Sequence, residues 1–572
     1  MRLYPIIIPP GRLSVFTTFF VLLMFLESFS ATREKVCQYP LTRAEETNFT
    51  ETSRYQDVMT FISSLQNAGG RFALEYFGTT AEGKKLPLAI FSDPEIFTPV
   101  GAKRLGKPVV FVMANIHAGE VEGKEAAQII MREIVDGRLA ALLKHMVLLV
   151  APIYNADGND KISIYNRTDQ NGPYGGVGAR ANSQGLDLNR DYIKLESPEA
   201  QGLVANVFDK WDPDVFIDLH TTDGSYHGYA LTYSGPLNPN TDKEIMAFEK
   251  EKLFPSVSKV LLRKYNYRTY YYGDFVPPHD PYGYFDPDSE HSARAWATFD
   301  ERPRFGTNYL GLRNRLCVLS EAYSHLDFKT RIDVTKEFVI EILDYVSKNP
   351  SKILSLTTRA DEYAIRTGTT RGHERGFGTE FKFEPSDGPV TILEGSVRRV
   401  LDERTGKYRI EAVQGVRPLK MIEYEKFAPT KSLAPPAAYV IPSDREDIIK
   451  LLQHHGIIVY RTTEDTTLQV QQYLVDSLTH ASISFQKHHE SKLTVTEKAT
   501  TIKLPAGTFI VSTHQPEAGL IFYLLEPESD DGLAVWNYFD ADIETQLASN
   551  SAAIYPVYRL SNEPKVSKVS VQ

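Results

Sequence analysis

The sequence predicts an α/β domain on a mainly parallel sheet, followed by a smaller β-rich domain, and three observations carry that reading. Residues 109–114, 145–153, 215–220 and 315–321 are apolar runs of strand length, the pattern of strands covered on both faces. Amphipathic helical stretches separate these runs, so strand, helix and strand recur within about fifty residues, as in a βαβ unit. Past residue 389 the texture changes to alternating apolar and polar residues with little helix, as at 408–413.

Taken in order, residues 53–67 place Tyr55, Val58, Phe61, Ile62 and Leu65 on one side of a helix. Residues 72–91 read as two strands around the turn 79–83. The run at 109–114 opens the parallel sheet. Residues 121–137 form the helix that follows it, ending on Gly137. After the strand at 145–153 comes a long polar stretch, 154–191, and unstructured segments of that length inside a domain usually carry function. Helices are expected at 198–211, 247–265 and 334–346, with a second long loop region at 270–309. Residues 366–389 are polar and glycine-rich, which predicts a linker. Beyond it, 438–462 reads as strand, helix and strand, and the remainder mostly as strand with one apolar segment at 520–525.

The 572-residue chain is long enough for two or three domains. A net charge of −10 argues against a nucleic-acid partner, which needs basic surface. Arg2 and Arg12 precede an apolar run at 13–26 and the small residues Ser28, Ser30 and Ala31, the layout of a secretory signal peptide. Residues 1–30 are therefore expected to be removed and the protein to be secreted or periplasmic. A retained anchor is the alternative, but the run is short for a bilayer span, and no other membrane span is expected. Cys37 and Cys317 are the two cysteines, too few for a disulfide scaffold, and Cys317 sits in an apolar run.

The chemistry gathers at strand ends. His117 and Glu120 follow the first buried run in a tight turn, His220 ends the third and Glu321 ends the fourth. Parallel strands present their carboxyl ends along one edge, where sites of open α/β sheets lie. Two histidines and one acid suit a catalytic zinc with a fourth position open, and a further carboxylate beside it suits a general base. Singly, each has a plainer reading: a helix start at His117 and Glu120, a core histidine at His220, an arginine-paired acid at Glu321. His227 is a rival ligand.

In this order, H-x-x-E at His117–Glu120, N-x-D-G at 155–158, G-x-D-L-N-R at 185–190, His220 and Glu321, the sequence resembles the zinc metallocarboxypeptidases of the carboxypeptidase A type. The interval from Glu120 to His220 is similar to that of the regulatory, carboxypeptidase D-like branch. The likeness covers roughly residues 45–350. It implies a mixed eight-stranded sheet flanked by helices, one zinc ion per chain, and peptide or protein C-termini as substrate. Residue by residue it implies His117, Glu120 and His220 as zinc ligands and Glu321 as the base toward the attacking water. Asn189 and Arg190 match the pair that binds a free C-terminal carboxylate, and Arg180 the arginine that polarises the scissile carbonyl. A guanidinium fork is suited to the first task and a cation beside the metal to the second.

The sequence also departs from the pattern. Arg167 rivals Arg180. Phe299 stands where the family has a mobile tyrosine, and Tyr309, the nearest tyrosine, is carried as a substrate-binding residue, with a core or rim aromatic as the other reading. The expected organisation is a signal peptide at 1–30, a catalytic domain at 31–365, a linker at 366–389 and an accessory domain at 390–572. The expected activity is zinc-dependent hydrolysis of the C-terminal peptide bond. An amidase or deacylase on the same fold and a catalytically silent peptide-binding protein are the alternatives.

Overall fold

The computed structural model describes residues 39–222, 224–283, 294–367, 376–549 and 552–571. The expected signal peptide and Cys37 lie outside them. Among the described residues, ten strands lie in the first part of the chain: β1 (Ala73–Thr79), β2 (Lys85–Phe91), β3 (Val109–Ala114), β4 (Val147–Ala151), β5 (Val215–Thr221), β6 (Leu231–Ser234), β7 (Thr269–Tyr271), β8 (Asp274–Val276), β9 (Ala295–Ala297) and β10 (Leu316–Ala322). Eight of them form one sheet, ordered β1-β2-β4-β3-β5-β10-β6-β7. Its centre, β4-β3-β5-β10, is parallel, and antiparallel pairs join β1, β2 and β6 to it. The sheet is thus mixed and eight-stranded, as expected. Every residue of β3, β4 and β5 is buried, which is why these strands read as unbroken apolar runs.

The register of this centre sets up the site. β3, β5 and β10 are neighbours, and Glu321 pairs directly with His220. Helix α1 (Tyr55–Asn67) and helix α2 (Glu122–Val135) cover the sheet, and Gly137 follows α2 in the left-handed region. Helix α2 buries charged side chains as well as Ala126, Ala127 and Ile130. Each charge has partners: Glu125 accepts from Thr52 Oγ1 (2.8 Å), Ser53 N (2.7 Å) and Ser53 Oγ (2.9 Å). Fully buried Arg331 lies 3.4 Å from Glu122 and donates to the carbonyls of Asn171 (2.8 Å) and Gly172 (2.6 Å). Arg331 belongs to helix α3 (Phe328–Lys348), so α2, α3 and the polar loop 154–191 are tied into one unit.

Several expectations change here. The helix expected at 334–346 is longer, and a further helix, α4 (Pro350–Thr367), follows it, with Pro350 at its first position where a proline needs no N–H. The loop expected at 270–309 contains β8, β9 and the start of a helix at Gly306–Leu312. The stretch 366–389, expected as a linker, holds strand β11 (Phe377–Pro385). From there the chain adds β12 (Val390–Asp402), β13 (Lys407–Met421), β14 (Glu423–Leu433), β15 (Ala438–Ile441), β16 (Val459–Thr462), β17 (Thr466–His480), β18 (Ser491–Leu504), β19 (Phe509–Ser512), β20 (Tyr558–Leu560) and β21 (Lys568–Val571). These strands confirm the β-rich texture, and the strand–helix–strand reading of 438–462 holds with a helix at Glu446–His454.

The C-terminal strands do not stand apart. One sheet runs β11-β14-β9-β8 and so draws two strands from each part of the chain; a seven-stranded sheet, β18-β17-β20-β15-β19-β16-β21, is wholly C-terminal. A single buried apolar cluster extends from Val58 through the central sheet to Tyr439, Leu524 and Val557.

Candidate active site

The turn after β3 is shaped by its backbone. Asn115 takes a left-handed conformation (φ 68°), which asparagine tolerates, and its Nδ2 donates to the carbonyls of Ala118 and Glu120, both at 3.3 Å. Glu120 N closes the turn on His117 O (2.9 Å). Gly119 has no room for a side chain: a Cβ there would lie 2.9 Å from Gly178 O and 2.8 Å from the Arg167 side chain. The glycine-rich loop therefore packs straight onto the H-x-x-E turn.

His117, Glu120 and His220 are buried and converge. His117 Nδ1 lies 3.0 Å from Glu120 Oε1 and 3.3 Å from His220 Nδ1, which in turn lies 3.0 Å from Glu120 Oε2. Tetrahedral zinc with bonds of about 2.0–2.2 Å needs ligand atoms about 3.3 Å apart, so the three donors already fit the ion. Among the described residues no other group of three such side chains has this closeness. The far nitrogen of each imidazole is backed by a carboxylate, His117 Nε2 by Asp187 Oδ1 (3.1 Å) and His220 Nε2 by Asp218 Oδ2 (3.0 Å). Such carboxylates orient metal-binding histidines. Burial raises the Glu120 carboxyl, but His117 and Arg167 outweigh it and hold the group well below the usual carboxylate range, in the form a cation needs.

Asp187 joins more than the metal ligand. Its Oδ1 also accepts from Asn189 N (2.9 Å), and its Oδ2 from Arg180 Nε (3.0 Å). Burial raises its carboxyl too, and His117, Arg190 and Arg180 together pull it well below its ordinary value. Neither Asp187 nor Asp218 was singled out from the sequence. The signals were present: Asp187 is the acid of the G-x-D-L-N-R motif, and Asp218 stands two residues before His220 in a strand, hence on the same face.

A cavity of about 240 Å³ opens over these groups, lined by His117, Glu120, His220, Glu321, Arg180, Asn189 and Arg190. Seven of the eight residues expected at the site thus share one space. Gly306 N donates to Asn189 Oδ1 (2.9 Å), which fixes which way round that amide lies. The Arg190 guanidinium stacks 3.9 Å over the Phe305 ring, with Nη1 donating to Asn189 O (2.7 Å). The two candidate arginines separate by position. Arg180 lines the cavity with its side chain 43% exposed, whereas Arg167 lies behind Glu120 (3.0 Å) and donates to the carbonyls of Thr221 and Thr222.

Tyr309 is the residue that the structure does not bring to the cavity. It is fully buried in the Gly306–Leu312 helix, its Oη 2.8 Å from His455 Nδ1 and its ring beside Tyr192. Nearness in sequence to Glu321 failed because that helix turns Tyr309 toward the core. Tyr272 and Phe299 line the cavity instead, in edge contact at 5.7 Å. His227 is not among the lining residues; it packs on Tyr323 at 4.2 Å, and burial lowers its imidazole to about 3.

Residues 58–276 match the family model described as zinc carboxypeptidase. The chain is 23% identical over 506 residues to "Carboxypeptidase 2" of Trichophyton rubrum, covering 84% of this chain and 81% of that protein. It is 24% identical over 509 residues to "Carboxypeptidase 2" of Trichophyton equinum, with the same coverage. "Carboxypeptidase D" of Drosophila melanogaster is 29% identical over 212 residues, 35% of this chain and 13% of that one. The family match takes in the turn of His117 and Glu120 and the strand of His220, whose three side chains meet in a geometry that suits the family's metal. The match to the zinc carboxypeptidase family covers residues 58–276, and that match, the carboxypeptidase-named relatives and the geometry of the site support reading the protein as a zinc metallocarboxypeptidase.

Proposed function

We propose that this protein is exported and hydrolyses the C-terminal peptide bond of peptides or proteins, with Glu321 as general base. Zinc, held by His117, Glu120 and His220, would supply a Lewis acid that polarises the scissile carbonyl and makes water a better nucleophile. Glu321, beside His220 across the β5–β10 pair, would take the proton of the attacking water and return it to the departing amine. Arg180 would stabilise the negative charge that grows on the carbonyl oxygen. Arg190 and Asn189 would hold the substrate's terminal carboxylate. The leader-like residues 1–30 support export; among the described residues no helix is long and apolar enough to cross a membrane.

One observation carries this reading: Asn189 and Arg190 line the same cavity as the metal-binding triad. Asn189 already uses its carbonyl oxygen on Gly306 N, so its Nδ2 is the part suited to an incoming anion, and Arg190 is a cation kept in place by Phe305. The direct experiment compares one peptide as free acid and as C-terminal amide. The free acid should be cleaved at its last bond and the amide poorly. Equal cleavage of both would point to an amidase on the same fold.

A further inference from the structure

The C-terminal part of the chain reaches the metal site through the tip of one hairpin. Strands β17 and β18 lead into residues 481–490, where Phe485 and His488 pair through two backbone hydrogen bonds of 2.7 and 2.9 Å. The two residues between them, Gln486 and Lys487, both have positive φ (48° and 70°). This is the tight two-residue turn that favours Asn-Gly, because most side chains are strained there. Strain kept in a structure asks what the strained residue does. Here the Gln486 side chain leaves the hairpin and accepts a hydrogen bond from Asp187 N (2.9 Å).

The tip is anchored on both sides. His488 Nε2 lies 2.7 Å from Glu196, and Arg304 Nη1 donates to Glu490 (2.7 Å). Asp187 is the residue whose carboxylate meets His117, Arg180 and Asn189 at once. We infer that Gln486 is a positioning residue of the zinc site: it holds the Asp187 backbone so that one carboxylate can orient a metal ligand, an arginine and the carboxylate clamp together. The inference rests on the proposed reading of the site and extends it to a residue about 300 positions away in sequence.

The test uses the full chain, zinc and a competing chelator. Gln486→Gly removes the acceptor and relieves the left-handed strain, so the melting temperature of the metal-free protein should hold or rise. Its zinc dissociation constant should nevertheless weaken roughly 3- to 10-fold, somewhat less than the 10- to 100-fold that follows loss of a direct partner of a metal ligand. Turnover should fall through kcat more than KM. Gln486→Glu keeps an acceptor at the same reach and should stay within about twofold of the unsubstituted protein. If Gln486→Gly binds zinc and turns over normally, the inference is wrong. If both variants lose zinc in step with a falling melting temperature, the residue is merely structural and the inference is wrong again. Failure of the unsubstituted chain to bind zinc would instead remove the reading of the site beneath it.

Discussion

Asp187 divides two oxygens among three partners drawn from different parts of the site, His117, Asn189 and Arg180. At this scale each side chain is fixed by what it touches on its far side. His220 has Asp218 behind it, Arg190 has Phe305 beneath it, and Glu120 has Arg167 behind it. Glu321 differs in kind, because its assigned task is to move a proton rather than to hold a partner. Glu321→Gln preserves shape and removes basicity. We expect kcat to fall at least ~100-fold, the low end for such catalysis, with zinc content and melting temperature unchanged. Near-normal turnover would end the assignment.

At the scale of elements, the readable part of the sequence is the part where burial dictates composition. β3, β5 and β10 are apolar because residues pointing to either side of the sheet are buried, so a histidine or acid at their ends stands out. The H-x-x-E turn was legible for the same reason. Tyr309 was not, since only the packing of its helix against His455 decides which way it points. Strand β11 hid in a polar, glycine-rich stretch because its partner is β14, far along the chain. Helix α4 hid behind Pro350, which marks a helix start as readily as a stop. Gln486 could not be read at all: a long-range hydrogen bond leaves no local pattern.

The junction of the β9–Gly306 segment with the C-terminal part makes a prediction of its own. Burial, with Asp300 and Asp530 nearby, pushes the Glu301 carboxyl up to about 8. Burial likewise pushes Asp530 up to about 7, helped by Asp531 and opposed by Tyr523. In the unfolded chain both would titrate near about 4. The folded state therefore binds more protons across this range. The stability these groups contribute is present below about pH 4 and is lost as pH rises through about 7 to 8. Melting temperature should fall between roughly pH 5 and pH 9 more steeply for the unsubstituted protein than for Glu301→Gln. Parallel curves would contradict the assignment.

At the scale of the whole molecule, the carboxyl-end edge of one sheet carries the residues that would hold the metal, a long loop carries the proposed clamp, and the tip of the β17–β18 hairpin meets that loop through Gln486 and His488. Tyr309 with His455, Arg304 with Asp531 and Gln486 with Asp187 all cross from the first part of the chain to the last. Metal chemistry alone would not make a carboxypeptidase of this arrangement; the recognition of a terminal charge would. The most direct measurement takes the unsubstituted protein and Arg190→Ala, each against one peptide as free acid and as amide. Removing one partner of a charge-assisted pair in a partly dry site costs about 2–5 kcal/mol. Arg190→Ala should then lower kcat/KM on the free acid roughly 30-fold to several thousand-fold and leave the amide nearly unchanged. The ratio of the two ratios separates the clamp from general damage. A ratio near one would contradict the carboxypeptidase account while leaving the zinc site intact.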